Sequence, residues 1–279
     1  MIFRTLFFIL IYLPFMIIGL PIQFVWSRLG WRGWNILPRW FHKLGTIFLG
    51  MKVTVLGQPV QGRPTLIVSN HISWTDIIAI GSVADVTFVA KQEIAKWFFV
   101  GFMASLQRTL FVDRTRRGDA KRTTTEMARR MAAGGAVLLF AEGQSDIGTH
   151  VLPFRSALVG AAQHAMEAAG ARGVMIQPLT VAYTKLQGLP VGRTDRNHIA
   201  WIKGKSVGQN IREILTGGTK DVTVAFGEPK PLEAGVDRKQ LTKQAEIEVR
   251  RVLVALNRGA QLPAPIRPAP AAPATQAAE

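Results

Sequence analysis

The chain is 279 residues long, 48% of them hydrophobic, and carries a formal net charge of +16; that is room for one large α/β domain and an appendage. It contains no cysteine, which excludes disulfides, thiol nucleophiles and cysteine-bound metal, and leaves the redox compartment unreadable from thiols. The charge implies a partner of opposite sign: an anionic membrane, nucleic acid or an acidic protein.

At the N-terminus, Thr5 to Ser27 is uncharged and almost wholly apolar, long enough to cross a hydrocarbon core. Pro14, Gly19 and Pro21 would kink such a helix, so a bent or half-inserted anchor is also open. No small-x-small site comes after it, which argues against a cleaved signal peptide. Arg28, Arg32, Arg39 and Lys43 lie after the span against Arg4 before it. The positive-inside rule therefore puts the folded domain on the cytoplasmic side of the inner membrane. Trp26 to Trp40, with Trp31 and Trp34 among arginines, reads as an interfacial stretch at headgroup depth, or else as an amphipathic helix packed on the domain. Residues 1–45 thus form the anchor.

From about Met51 the pattern changes to short strands alternating with helices. Strands are predicted at Lys52–Gly57, Thr65–Ser69, Val86–Ala90, Ala136–Phe140, Val174–Val181, His198–Ile202 and Val222–Phe226. Helices are predicted at Thr75–Val83, Arg117–Ala133, Ser156–Ala169, Val207–Leu215 and Arg238–Asn257. The fold class is α/β, a mixed, largely parallel sheet flanked by helices, with an N-terminal membrane-anchoring hydrophobic helix. Residues 46–258 form the main domain. Residues 259–279, rich in Pro and Ala, form a disordered tail.

The most informative segment comes directly after the apolar run Thr65–Ser69. Asn70-His71-Ile72-Ser73-Trp74-Thr75-Asp76 places an imidazole at the carboxyl end of a predicted strand, where open α/β sheets collect their chemistry. Asp76 can reach back to one ring nitrogen of His71 and fix its tautomer, leaving the other as a base suited to a hydroxyl. Asn70 and Ser73 would shape the turn through side-chain-to-backbone bonds, and Trp74 would pack beneath it or face the apolar part of a ligand. Glu142 and Gly143 come after the apolar strand Ala136–Phe140, so they too sit at a strand's carboxyl end. Gly143 allows positive φ or close approach to a ligand, and Glu142 binds a ligand hydroxyl, holds the loop, or only caps a helix. Most of the cations between Arg108 and Arg130 read as a solvated helix face, with Glu126 pairing its neighbours. His42, His150, His164 and His198 have no partner at ligand spacing, so no metal site is expected.

The first motif resembles that of the 1-acyl-glycerol-3-phosphate (PlsC-type) acyltransferase family. Phe111-Val112-Asp113-Arg114 resembles the family's second block, Phe140-Ala141-Glu142-Gly143 its third, and Ile176-Gln177-Pro178-Leu179 its fourth. The resemblance implies direct acyl transfer to a hydroxyl, with His71 as base and Asp76 orienting it. The donor would be acyl-ACP or acyl-CoA as co-substrate, with no cofactor and no metal, and a membrane lipid and acyl carrier protein as partners. It implies that Arg114 holds the acceptor's polar head and that Glu142 and Gly143 belong to the acceptor site. The third block departs from the family, reading Gln144-Ser145-Asp146 where Thr-Arg-Ser is usual. Losing a cation and gaining Asp146 disfavours a phosphate acceptor and suits one carrying an amine. Leu106-Gln107-Arg108-Thr109 and Ala182-Tyr183-Thr184 look like the lyso-ornithine lipid acyltransferase branch, whose acceptor has an amine and no phosphate. The alternative acceptor is 1-acyl-glycerol-3-phosphate.

Two other classes compete. A serine hydrolase built on Ser73, His71 and Asp76 lacks a Gly-x-Ser-x-Gly elbow. A nucleic-acid binder lacks a zinc-finger spacing or an aromatic RNA signature. A non-catalytic scaffold on the same fold, and the oligomeric state, are left open.

Overall fold

The structure, a computed structural model, describes residues 2–30, 33–112, 125–127, 129–131, 135–157, 159–160, 173–232 and 237–262. Its strands form where β-branched and aliphatic residues run uninterrupted. They are β1 (Met51–Leu56), β2 (Thr65–Ser69), β3 (Val86–Lys91), β4 (Leu110–Val112), β5 (Ala136–Phe140), β6 (Met175–Leu186), β7 (Leu189–Pro190), β8 (Lys220–Phe226) and β9 (Lys230–Pro231). The sheet order is β1-β8-β6-β2-β5-β3-β4, with β7 and β9 pairing on β6. From β6 to β4 neighbours run parallel. β8 pairs antiparallel to β6, and β1 lies beside β8 in parallel. The sheet is mixed and largely parallel, as the alternation of elements predicts.

β2 is buried at every position, which is why its sequence is a continuous apolar run rather than an alternating one. Its side chains still divide by the strand period of two. Leu66 and Val68 join Val137 and Leu139 in one core, and Ile67 joins Leu138 in the other. The first core is closed by Leu241, Ala245, Val249 and Leu253 of a long C-terminal helix, Arg238–Arg258. The second is closed by Ala79 and Ile80 of α4 (Thr75–Val83) and by Ile214 of the helix Val207–Thr216.

The N-terminal helix is continuous from Ile2 to Leu29, with a mean hydropathy of 2.4 over its most apolar window. By length and composition it is able to cross a membrane. It comprises α1 (Ile2–Phe7), a π-helical turn at Phe8–Tyr12 and α2 (Leu13–Leu29). Pro14 lacks an N–H and would clash with the carbonyl one turn back, so the wide turn just before it lets the helix pass without breaking. Both ends are tied to the same domain. Arg4 Nε donates to Phe48 O at 2.7 Å, and Gln23 Nε2 donates to Trp34 O and Leu106 O at 2.9 and 3.0 Å. Between them Tyr12 packs on Phe41 and Phe48. A helix standing through a bilayer would carry one end away from its domain; this one lies along it.

Gly30, at φ +65°, ends α2 in the left-handed conformation that favours glycine. The Trp-rich segment beyond it does not stay at the surface throughout, because α3 (Ile36–Phe48) packs against α4. His42 is buried there and donates from Nε2 to Gln107 Oε1 at 2.7 Å. Burial lowers its imidazole to about 4, so it is neutral at physiological pH. Its ring lies over Gly81 so closely that a Cβ there would sit 2.4 Å from Cδ2. Alanine in a helix is normally preferred to glycine by about 1 kcal/mol. Here the sign reverses: Gly81→Ala is expected to destabilise the chain by about 1–3 kcal/mol through overpacking, read as a lower denaturant midpoint in detergent.

One predicted element is corrected. His198–Ile202 is not a strand, because Arg193–Ile199 forms a helix. The Asp195 carboxylate accepts the Gly192 N–H at 3.1 Å, a capping contact that starts the helix. The helices Gln92–Ala95 (α5) and Phe98–Leu106 (α6), and strands β4, β7 and β9, are absent from the sequence-based expectation. In sequence they are too short or too uniformly apolar to show a period. Of the basic block, Glu126 pairs with Arg129 and Arg130 at 2.8 Å, as helical spacing predicts. The Pro/Ala-rich tail from residue 263 lies outside the described residues.

Candidate active site

β2 ends at Ser69 and α4 begins at Thr75, so residues 70–74 turn the chain at the carboxyl edge of the sheet's central strand. Asn70 is fully buried and pairs side chain to backbone with β6. Its Oδ1 accepts the Val181 N–H at 2.9 Å and its Nδ2 donates to Val181 O at 3.0 Å. The amide thus prolongs the β2–β6 ladder by one step and fixes where the turn begins.

Asp76, wholly buried in the first turn of α4, organises the rest of the turn. Its Oδ2 accepts from the Ile72 N–H at 2.6 Å, the Ser73 N–H at 3.0 Å and His71 Nδ1 at 2.8 Å. Its Oδ1 accepts the Tyr183 hydroxyl at 2.8 Å. An ionised carboxylate only accepts, so the proton of the His71 pair sits on Nδ1 and the lone pair on Nε2. The same logic orders the next bond. Tyr183 spends its one proton on Asp76, so Thr75 Oγ1, 2.6 Å away, donates to the Tyr183 oxygen. Burial and the Asp76 charge push the Tyr183 phenol well above its ordinary range, which keeps it a donor. The His71 ring stacks on Phe140 at 3.9 Å between centroids and is 17% exposed, enough to meet a substrate.

Glu142 is held on the other side of the turn. Its Oε2 accepts the His71 N–H and its Oε1 the Leu152 N–H, both at 2.7 Å. Of the readings open in sequence, holding the loop is the one these bonds support. Gly143, at φ +74°, turns the chain away from β5. The Asp146 N–H then returns to His71 O at 2.9 Å. Asp146 Oδ2 is buried, with no hydrogen bond from any described residue and His150 Nδ1 at 3.7 Å. The loop is clasped from behind. Glu246 accepts the Phe154 N–H, Arg250 donates to Val151 O, and Asn257 and Arg196 both donate to Gly148 O.

Burial raises the Glu142 carboxyl to about 8, against the opposing pull of its two amide donors. The folded chain therefore keeps a proton that the unfolded chain releases in the ordinary carboxylate range. Stability from this group is fully present below that range and is lost as pH rises towards 8. Unfolding midpoints measured across this window are expected to fall with pH, and to fall less in Glu142→Gln.

Most of the expected site residues converge. His71, Asp76, Glu142, Gly143 and Asp146 meet around one turn, with Asn70 beneath it. Ser73 acts through its backbone: its hydroxyl is buried without a hydrogen bond from a described residue, and it does not pair with His71. That arrangement removes the serine-nucleophile reading. Of the two readings of Trp74 the contacts support packing beneath the turn: its indole N–H donates to Asn210 Oδ1 at 2.9 Å and its partly buried ring packs on the second core. Arg114 lies outside the described residues. The amides of residues 71, 72 and 73 are all committed to carboxylates, so an oxyanion must be met by other donors. Among the described residues no three His, Asp or Glu are grouped to hold a metal. Tyr183, Thr75 and Phe140, which stand within quoted motifs but have no assigned role there, join the site. Tyr183 is one of only two tyrosines in the chain, but its link to Asp76 spans 107 positions.

What the arrangement can do chemically is remove a proton at His71 Nε2 while Asp76 stabilises the imidazolium. Residues 52–182 match the acyltransferase family. A lyso-ornithine lipid O-acyltransferase of Brucella abortus is 40% identical over 246 residues, 88% of this chain and 91% of that one. A second protein of that name, from Rhizobium meliloti, is 34% identical over 236 residues, 84% and 80% of the two chains. The crystal structure of the 1-acyl-sn-glycerophosphate acyltransferase from Thermotoga maritima has the same fold, with a TM-score of 0.64 and 23% identity over 91% of this chain and 95% of that one.

Proposed function

The chain belongs to the PlsC-type acyltransferase family, and from that premise we propose that it acylates lyso-ornithine lipid from an acyl thioester at the membrane surface. It is an acyltransferase of lysolipids; the acceptor, the donor and the residue roles are our reading. His71 Nε2 takes the proton of the acceptor's hydroxyl as that oxygen attacks the thioester carbonyl. The tetrahedral centre collapses, the C–S bond breaks, and the thiolate leaves with the proton that His71 gained. No covalent enzyme intermediate is needed, because a thiolate is a good leaving group. Asp76 keeps the imidazole in the reactive tautomer, and Glu142, bonded to the His71 amide, fixes the backbone that carries it.

The observation that carries the acceptor reading is the Asp146 carboxylate. Its N–H bonds the His71 carbonyl, and its Oδ2 is buried without a described hydrogen-bond partner, with His150 Nδ1 at 3.7 Å. A buried carboxylate oxygen gains most from a cationic partner, and a lyso-ornithine lipid carries an amine. The likeness to proteins of that name over most of both chains supports the same acceptor. The donor we favour is acyl carrier protein, which is acidic as a class and suits the +16 charge. The helix Ile2–Leu29, held to the domain at both ends, would lie in the leaflet that this domain faces, which we place in the inner membrane's cytoplasmic leaflet.

A competition assay tests this reading. Acyl-carrier-protein thioester is offered to membranes bearing the expressed chain, with equal lyso-ornithine lipid and 1-acyl-glycerol-3-phosphate. Preferred acylation of the ornithine acceptor is expected, with the preference weakened in Asp146→Asn. Preferred acylation of the phosphate acceptor would overturn the acceptor assignment and turn attention to Arg155, whose Nε donates to Glu142 O.

A further inference from the structure

Helix α6 reads Phe98-Phe99-Val100-Gly101-Phe102-Met103-Ala104-Ser105-Leu106 and has no charged residue. A helix apolar all round belongs in a core or in lipid. This one is not in the core. Phe98 is 95% exposed, Phe99 53%, and Val100 and Phe102 are also open. Beside them lies an open groove of about 790 Å3, lined by Ala95, Phe98, Phe99, Phe102 and Phe111. A contiguous patch of this kind marks an interaction surface, where a single exposed phenylalanine would not.

The patch is held rigidly. Gly101 lets α6 close on α5 so tightly that a Cβ there would sit 2.3 Å from Ala95 O. At its far end α6 meets the N-terminal helix, where Gln23 Nε2 bonds Leu106 O. That helix itself exposes Leu10, Ile17 and Ile18. The residue before α6 is linked to the active-site turn through one intermediary. The Trp97 ring packs on Trp201 at 5.8 Å, and the Trp201 N–H donates to Ile72 O, the residue after His71. Exposed Lys96 lines the same groove, and Lys91 and Glu93, also exposed, lie just before it in the chain.

We propose that the Phe98–Phe102 face of α6 is a second bilayer contact, inserted at headgroup depth in an anionic membrane beside the N-terminal helix. Continuity with that helix identifies the occupant, and the flanking lysines suit anionic headgroups. Because α6 reaches the site through Trp97 and Trp201, its insertion seats His71 at the level where a lysolipid's hydroxyl lies. The acceptor then reaches the base without leaving the leaflet. This inference rests on reading Ile2–Leu29 as membrane-bound.

The absence of cysteine supplies the test. Full-length Phe98→Cys, Leu10→Cys and Gln244→Cys each carry one environment-sensitive fluorophore, Gln244 lying on the C-terminal helix against the opposite face of the sheet. The chains are bound to phosphatidylethanolamine/phosphatidylglycerol vesicles and quenched with aqueous iodide. Quenching at Phe98 and Leu10 several-fold weaker than at Gln244 is expected. If Leu10 is shielded and Phe98 quenches like Gln244, the N-terminal reading stands and this proposal falls. If Leu10 also quenches freely, both fall. Shielding of Phe98 that tracks protein concentration rather than lipid would assign the face to a second copy and overturn the bilayer contact. In a second measurement, Phe98→Glu should slow turnover several-fold on vesicle-borne lysolipid and leave turnover in detergent micelles unchanged. Equal losses in both would overturn the proposal.

Discussion

His71→Ala should lower acyl transfer by about a thousandfold, within the range that a positioned general base contributes, while the chain stays folded. The expected loss is chemical, since the alanine backbone still donates its N–H to Glu142 and Asp76 still caps the Ile72 and Ser73 amides. What stability is lost comes from the ring stacked on Phe140 and from the Nδ1 hydrogen bond to buried Asp76, together about 1–3 kcal/mol. Single-turnover rates with saturating acceptor, set beside denaturant midpoints of the two chains, check both halves. Near-normal turnover in a folded variant would sink the proposed mechanism.

Asp76 yields the second large effect, and it separates charge from geometry. In Asp76→Asn the amide oxygen can face His71 Nδ1 and the two backbone N–H groups as Oδ2 does now. Its NH2 then meets Tyr183, which reverses its hydroxyl to donate to Thr75. The fold therefore survives and the tautomer is kept, but no charge remains to stabilise the imidazolium. Transfer is expected to fall by about 10²–10³-fold, within what a positioned general base contributes. Asp76→Ala has no such escape. It strands two buried amides and the Tyr183 hydroxyl, and should cost about 3 kcal/mol or more. Comparing the two variants by urea unfolding and by rate distinguishes them: if Asn unfolds the chain as Ala does, the hydroxyl reversal does not happen.

Much of this is legible in sequence, for identifiable reasons. A strand that ends at Ser69 and a helix that starts at Thr75 are dictated by local periodicity. The five-residue reach from His71 to Asp76 is set by one turn of chain, so the pair can be drawn before any fold is known. The uncharged run at the N-terminus and the Glu142-Gly143 loop after an apolar strand are equally local. The helix at Arg193–Ile199 escapes a sequence reading because its apolar residues, Ile199 with Ala200 beyond, also fit a short strand. Its deciding contacts are the Asp195 cap and the tie from Arg196 to Gly148.

What the sequence determined by itself was the pairing of neighbours: the His71–Asp76 relay, the core strands, the apolar N-terminal helix and the missing cation after Gly143. Those relations span a few residues, where covalent geometry and side-chain period leave few options. The tertiary structure decided the rest. Only the sheet order β6-β2-β5 brings Val181 to Asn70, Tyr183 to Asp76 and Glu142 to the His71 amide. Only packing shows both ends of the N-terminal helix tied to one domain, His42 buried over Gly81 and the aromatic face of α6 left open. A contact between distant segments is paid for by the burial of everything between them, and no local pattern of residues records that sum.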